Sequence, residues 1–131
     1  AAAREASARA YCPYSRFPVG AALRSADGRV FTGCNVENAS YGLTLCAERV
    51  ALCAAVAAGA QTFAALALAA GTERAATPCG ACLQVLAEFC GPDLPVHLVP
   101  IAPEGVAPRT LRLKDLFPQV FHLARRRGAR P

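Results

Sequence analysis

Apolar and polar positions along the chain fall into blocks with strand or helix periods. Val19–Ser25 is an apolar run, Ala26-Asp27-Gly28 supplies turn chemistry, and Val30–Gly33 follows. That order predicts a β-hairpin. Upstream, Arg4–Ala10 is alanine-rich and suits a helix, while Tyr11–Pro18 carries two prolines and reads as a loop. Asn35–Tyr41 is polar and turn-prone. Leu45, Leu52 and Val56, set among alanines, predict a helix over Cys46–Ala58, closed by Gly59 as a C-terminal cap residue. Phe63–Ala70 reads as a buried strand. Thr77-Pro78 opens a second helix over Cys79–Phe89, where Val85, Leu86 and Phe89 recur at three-to-four spacing, and Cys90-Gly91-Pro92 stops it. Val96–Val99 is a fourth strand, Arg109–Leu113 a fifth, and a short helix near Leu116 follows.

The resulting order, β-β-α-β-α-β with additions at both ends, favours one sheet with helices packed on its faces. Both main helices begin directly after a loop or strand end. Helix N-termini at a sheet edge are where α/β proteins place their sites. Val50–Gly71 has no charged residue and the length of a membrane span. It is mostly alanine and is cut by Gly59, Gln61 and Thr62, so it reads as a buried helix, a turn and a buried strand.

At 131 residues the chain suits a single domain, 1–131, able to bury a core without disulfides. With 54% hydrophobic and 18% charged residues it does not have a disordered composition. The net charge of +5 owes much to Arg125, Arg126, Arg127 and Arg130 in a basic tail, 122–131. Those arginines have no interleaved aromatic residue, so a solvated tail is favoured over a nucleic-acid or membrane contact. There are seven cysteines, so they cannot all pair internally, and no secretory signal pattern opens the chain. These features give the expectation of a reducing, cytoplasmic setting.

The chemistry concentrates in Cys46-Ala47-Glu48-Arg49 and Pro78-Cys79-Gly80-Ala81-Cys82, each at a predicted helix start. Cysteines at i and i+3 on a first turn face the same way. A helix N-terminus lowers thiol pKa, so both can be zinc ligands. With Cys46 as a third ligand, one of zinc's four positions stays open, as in catalytic sites. Residues two apart in mid-helix point to nearly opposite sides, so Cys46 should sit at or just before the first helical position to share a side with Glu48. Three thiolates would leave the centre anionic, and Arg49 is placed to offset this by hydrogen-bonding the sulfurs. A lone C-x-x-C is also found in redox pairs and structural zinc sites. Cys34, Cys53, Cys90 and His97 could in principle supply a fourth ligand. Cys53, two turns beyond Cys46, reads as core, and Cys34 is the serious competitor. Cys12 and His122 read as packing or surface residues.

C-A-E followed by P-C-x-x-C resembles the H-x-E…P-C-x-x-C pattern of zinc nucleobase deaminases, with cysteine for histidine. This variant is similar to the homotetrameric cytidine deaminases of nucleoside salvage. Tyr14-Ser15-Arg16-Phe17-Pro18-Val19-Gly20-Ala21-Ala22 resembles that family's N-terminal signature, and Gly33-Cys34-Asn35-Val36-Glu37-Asn38 its ribose-binding segment. Ser40-Tyr41-Gly42, Cys46 to Ala51, Pro78 to Phe89 and Leu116-Phe117-Pro118-Gln119-Val120-Phe121 continue the resemblance from Tyr11 to Phe121. Leu83 stands where the family usually has arginine, and Thr77 where it has serine.

The resemblance implies a three-layer αβα fold with a mixed sheet of about five strands. It implies Zn2+ held by Cys46, Cys79 and Cys82, and Glu48 as the proton carrier in the hydrolysis of cytidine, and of deoxycytidine, to uridine or deoxyuridine and ammonia. Asn35 and Glu37 would hydrogen-bond the ribose 3′-hydroxyl, Phe17 would pack beside the nucleoside, and Ala47 would offer a backbone group to the pyrimidine edge. Phe121 would reach the base from a neighbouring subunit of a homotetramer with shared active sites. No membrane partner is expected, and a site closed by neighbours disfavours nucleic acid. The alternatives are a deaminase of an aminocytosine antibiotic nucleoside, a deaminase acting on nucleic acid, and a non-catalytic zinc-binding domain completed by Cys34.

Overall fold

A computed structural model of the chain describes residues 1–71, 75–101 and 106–125. The sheet begins with the hairpin that the sequence predicts. β1 (Val19–Ser25) and β2 (Val30–Cys34) pair antiparallel, with Ala21 opposite Gly33 and Arg24 opposite Val30. At the turn Gly28 has φ +93°, a form that glycine adopts without steric cost. The Asp27 carboxylate accepts from the Ser25 hydroxyl, from Arg29 N–H at 3.3 Å and from Arg29 Nε at 2.9 Å. Those donors, Ser25 foremost, hold its carboxyl below the ordinary value.

β3 (Phe63–Ala70) runs antiparallel to β1 on its other side. β4 (Pro95–Val99) lies parallel to β3, and β5 (Arg109–Arg112) antiparallel to β4. The strand order is β2-β1-β3-β4-β5, a mixed sheet of five. Its helices are α1 (Ala2–Ser7), α2 (Ala47–Ala57), α3 (Gly80–Phe89) and α4 (Leu113–Leu116).

The two faces of the sheet are filled differently. On one, Leu23 of β1, Leu66 and Leu68 of β3, and Val96 and Leu98 of β4 pack against α2, α3 and α4. α2 contributes Ala47, Ala51, Leu52 and Ala55, α3 contributes Leu83 and Leu86, and α4 contributes Leu113. On the other, Ala22 and Ala69 meet Ala3 of α1 in a thin layer of small side chains. The result is the expected three layers, helix–sheet–helix.

Glycine permits the closest approaches. A β-carbon on Gly20 would collide with the backbone of Ala3 and Ser7 in α1, and one on Gly33 with the backbone of Ala47 and Ala51 in α2. Gly33 therefore lets the first turn of α2 rest directly on β2.

Departures from the expected elements have local causes. The first helix runs Ala2–Ser7 rather than Arg4–Ala10, because Tyr11 is drawn away to bridge Val36, donating to Asn35 O at 3.0 Å. Leu113 starts α4 instead of ending β5, because the Asp115 carboxylate accepts the Arg112 N–H at 2.8 Å and caps the helix. Cys53 is exposed, not core: on α2 the sheet-facing positions are taken by Ala51, Leu52 and Ala55. The uncharged stretch Val50–Gly71 divides into α2, a turn at Gly59 (φ +87°) and β3. Among the described residues no helix is long and apolar enough to cross a membrane. Of the basic tail, Arg125 lies 4.0 Å from Glu88, whereas Arg126, Arg127 and Arg130 fall outside the described residues.

Gly33→Ala is expected to lower stability by about 1–3 kcal/mol, the usual cost of overpacking. Gly91→Ala, with open space around it, should stay within about 0.5 kcal/mol of the parent. Denaturant unfolding of the two variants against the parent checks both values.

Candidate active site

α2 and α3 start in the same way. Cys46 and Cys79 are their N-cap residues, with extended backbone at φ −75°, ψ 151° and φ −73°, ψ 165°. Neither side chain caps its own helix, which leaves both thiols to point elsewhere. Cys82 follows in the first turn of α3 and is buried. The sulfurs of Cys46, Cys79 and Cys82 all lie within 4.8 Å of one another. Around a zinc ion with 2.3 Å bonds, tetrahedral sulfurs would sit about 3.8 Å apart, so the cluster fits with little adjustment.

Among the described residues no further Cys, His, Asp or Glu joins this group. Cys34 directs its thiol to Arg9 O at 3.5 Å. Cys90 ends α3, where burial pushes its thiol up to about 12. His97 Nδ1 pairs with Thr110 Oγ1 at 2.8 Å. Among the described residues the three thiols have no fourth protein ligand beside them, so a tetrahedral ion held by them would keep one position open.

Electrostatics argue for a cation at their centre. Burial, then the negative charges of Glu48 and Cys46, push the Cys82 thiol well above its ordinary value. Burial also works against ionisation of Cys79. Hydrogen bonds from Cys82, Cys46 and the Ala81 backbone outweigh it and bring the Cys79 thiol down. Ionisation is thus eased at Cys79 and opposed at Cys82. A divalent ion removes that conflict, because it favours every thiolate at once.

Arg49 reaches the cluster from the first turn of α2. Its Nη2 donates to Cys46 Sγ at 3.2 Å and to Thr44 O at 3.4 Å. The bond to Cys46 is the main reason its guanidinium is held protonated more firmly than usual, with burial acting against it. Its Nε is buried with no partner among the described residues.

Beside the thiols a cavity of about 580 Å³ opens, with Cys46, Ala47, Glu48 and Cys79 along one wall. Glu48 is 4% exposed. Burial raises its carboxyl above the ordinary value, against the opposing pull of its own backbone N–H, the Cys82 thiol and the Arg49 charge. A buried carboxyl group facing a cavity, with its proton affinity raised, is suited to take up a proton and pass it on.

Asn35, Glu37 and Phe17 line the same cavity, the first two buried and Phe17 exposed. The Asn35 amide is not part of a turn within its own loop. Its Oδ1 accepts Val19 N–H at 2.9 Å and its Nδ2 donates to Phe17 O at 2.9 Å, so it ties the segment before β1 to the end of β2. Glu37 is 6% exposed, and its carboxylate accepts from Ser15. Phe121 lies away from this cavity and is 68% exposed; its carbonyl accepts from Gln84 Nε2 at 3.1 Å. Leu83 packs in the core.

Sequence reasoning assigned no role to Ser15, Tyr41 or Thr44, which also line the cavity. Tyr41 meets Tyr14 edge-to-face at 5.8 Å. The polar, turn-prone pattern over Asn35–Tyr41 gave no sign of this. Tyr14 lies 27 residues before Tyr41, and the contact depends on how two loops cross.

Comparison with known proteins places this geometry in context. The pattern of the cytidine and deoxycytidylate deaminase zinc-binding region matches residues 1–98. A cytidine deaminase of Sporosarcina psychrophila is 53% identical over 98 residues, covering 75% of this chain and 72% of that protein. A cytidine deaminase of Mycobacterium tuberculosis is 50% identical over 121 residues, covering 92% and 85%. Among solved structures, the cytidine deaminase of Burkholderia pseudomallei superposes with a TM-score of 0.84 at 50% identity, covering 92% of this chain and 94% of that one.

Arg49→Ala is expected to weaken zinc retention by about tenfold or more, as loss of a hydrogen bond to a metal ligand does. Competition with a zinc-binding dye measures it directly; equal retention by parent and variant would remove Arg49 from the account of the metal site.

Proposed function

The chain belongs to the cytidine and deoxycytidylate deaminase zinc-binding family, and on that premise we propose that it hydrolyses cytidine, and deoxycytidine as a second substrate, to uridine or deoxyuridine and ammonia. The observation that carries this reading is Glu48, a buried carboxyl group that lines a nucleoside-sized cavity next to three clustered thiols.

Cys46, Cys79 and Cys82 would hold the zinc ion. When bound, the ion supplies Lewis acidity that lets water act as a nucleophile near neutral pH. Glu48 takes up the proton that the attacking water gives up and passes it to N3 of the base. It then takes the remaining proton from the hydroxyl added at C4, as the carbonyl forms and the C4–N bond breaks, and delivers it to the departing amino group, which leaves as ammonia. Its raised proton affinity supports this double use, since an efficient carrier needs a pKa near the working pH. Ala47, fully buried in the wall beside Glu48, offers a backbone group to the pyrimidine edge.

Asn35 and Glu37 hold the sugar by its 3′-hydroxyl. After their protein contacts, the Asn35 amide keeps a free hydrogen and Glu37 keeps an acceptor site, which suits a hydroxyl that both accepts and donates. Phe17 packs beside the nucleoside. The assembly is a homotetramer in which Phe121 of one subunit reaches the base in another. Support comes from the exposure of Phe121 and of Tyr11, Tyr41, Leu43 and Leu45, more apolar surface than scattered single residues leave bare. Closure by neighbouring subunits excludes a polymeric substrate, so the reaction belongs to pyrimidine salvage in the cytoplasm, and the chain acts as one deaminase domain.

Mixing the purified protein with cytidine should cause loss of the cytosine absorbance. Glu48→Ala should retain zinc while turnover falls by about 10²–10⁴-fold or more. Undiminished turnover in that variant would remove Glu48 as the proton carrier. A folded, zinc-loaded parent that leaves cytidine intact would exclude this substrate.

A further inference from the structure

Among the described residues, Ser15 supplies every hydrogen bond made to the Glu37 carboxylate. Its backbone N–H lies 3.3 Å from Oε1 and 3.1 Å from Oε2, and its hydroxyl donates to Oε1. A carboxylate has about four acceptor sites. Ser15 occupies both on Oε1 and one on Oε2, leaving one free in a group that is otherwise buried and faces the cavity.

The orientation of the Ser15 hydroxyl is itself fixed. Phe17 N–H donates to its oxygen at 3.1 Å, so its own hydrogen is directed to Glu37. Between the two residues Arg16 has φ +55°, a left-handed conformation rare for a residue with a side chain. The turn that holds it there is closed by Arg16 N–H donating to Cys12 O at 2.9 Å. Uncommon backbone conformations concentrate where a site needs a group aimed in one direction. Here the conformation brings one serine's N–H and hydroxyl to bear on one carboxylate.

We propose that Ser15 is a positioning residue, which fixes the Glu37 carboxylate with a single acceptor site open to the cavity and thereby sets the preference for nucleosides with a free 3′-hydroxyl. The inference rests on the reading of Glu37 as the sugar acceptor. A purely structural serine would stabilise the loop without altering the choice between substrates. A positioning serine alters that choice, because a carboxylate free to rotate loses its advantage towards a hydroxyl donor in a fixed place.

The test compares kcat/KM for cytidine and 3′-deoxycytidine in the zinc-loaded enzyme. Ser15→Ala is expected to cut the preference for cytidine by about tenfold, the equivalent of one hydrogen bond to a charged group. Ser15→Thr, which retains the hydroxyl, should keep the preference, and Glu37→Ala should erase it. Should Ser15→Ala fail to fold, Ser15→Cys, close in size but a weak donor, reads the same ratio. Loss of activity by one common factor on both substrates in the serine variant, while Glu37→Ala erases the preference, overturns the role of Ser15 alone. A preference that survives Glu37→Ala overturns the reading of Glu37 and the inference with it.

Discussion

The first turn of α2 lies against β2 with no side chain between them, and the site is arranged around that contact. Gly33 makes it possible, since any β-carbon there would meet the backbone of Ala47 and Ala51. With the helix seated so low, its N-cap residue Cys46 meets Cys79 and Cys82 at the start of α3, and Glu48 lines the cavity. The metal cluster is therefore a consequence of helix-on-sheet packing as much as of the cysteines.

That packing creates a charge problem which the surrounding groups share. Three sulfurs and a carboxyl group occupy a small, partly buried volume. Cys82 and Glu48 both resist ionisation there, and burial is the first cause for each. Two helix N-termini and the Arg49 guanidinium provide positive potential at the same point. These groups moderate the repulsion without removing it, and zinc binding by the family follows the same logic.

Much of this was legible in the sequence because it depends on local pattern. β1 and β3 have the bounds that their apolar runs and turn residues predict. The two helix starts bearing Cys46 and Cys79 follow from flanking loops and proline, and their spacing pointed to a metal. What escaped was set by tertiary contact. Cys53 looks apolar on the helix but faces outward, because alanines and Leu52 fill the positions against the sheet. The first helix stops at Ser7, short of Ala10, and the chain beyond it bridges Tyr11 to Val36, far along the sequence. Ser15 stood within a recognisable segment, yet its partner is 22 residues away and nothing local announces it.

The small-residue seams have a consequence for how such a chain can change. Ala21, Ala47, Ala51, Ala55 and Ala69 are completely buried, and the layer under α1 is almost wholly alanine. In most cores the damaging substitution removes atoms and leaves a void. Here the residues are already near the lower limit of size, so the damage comes from adding atoms. Any larger side chain at these positions overpacks a seam, so gains in stability must be sought on the surface and in the turns.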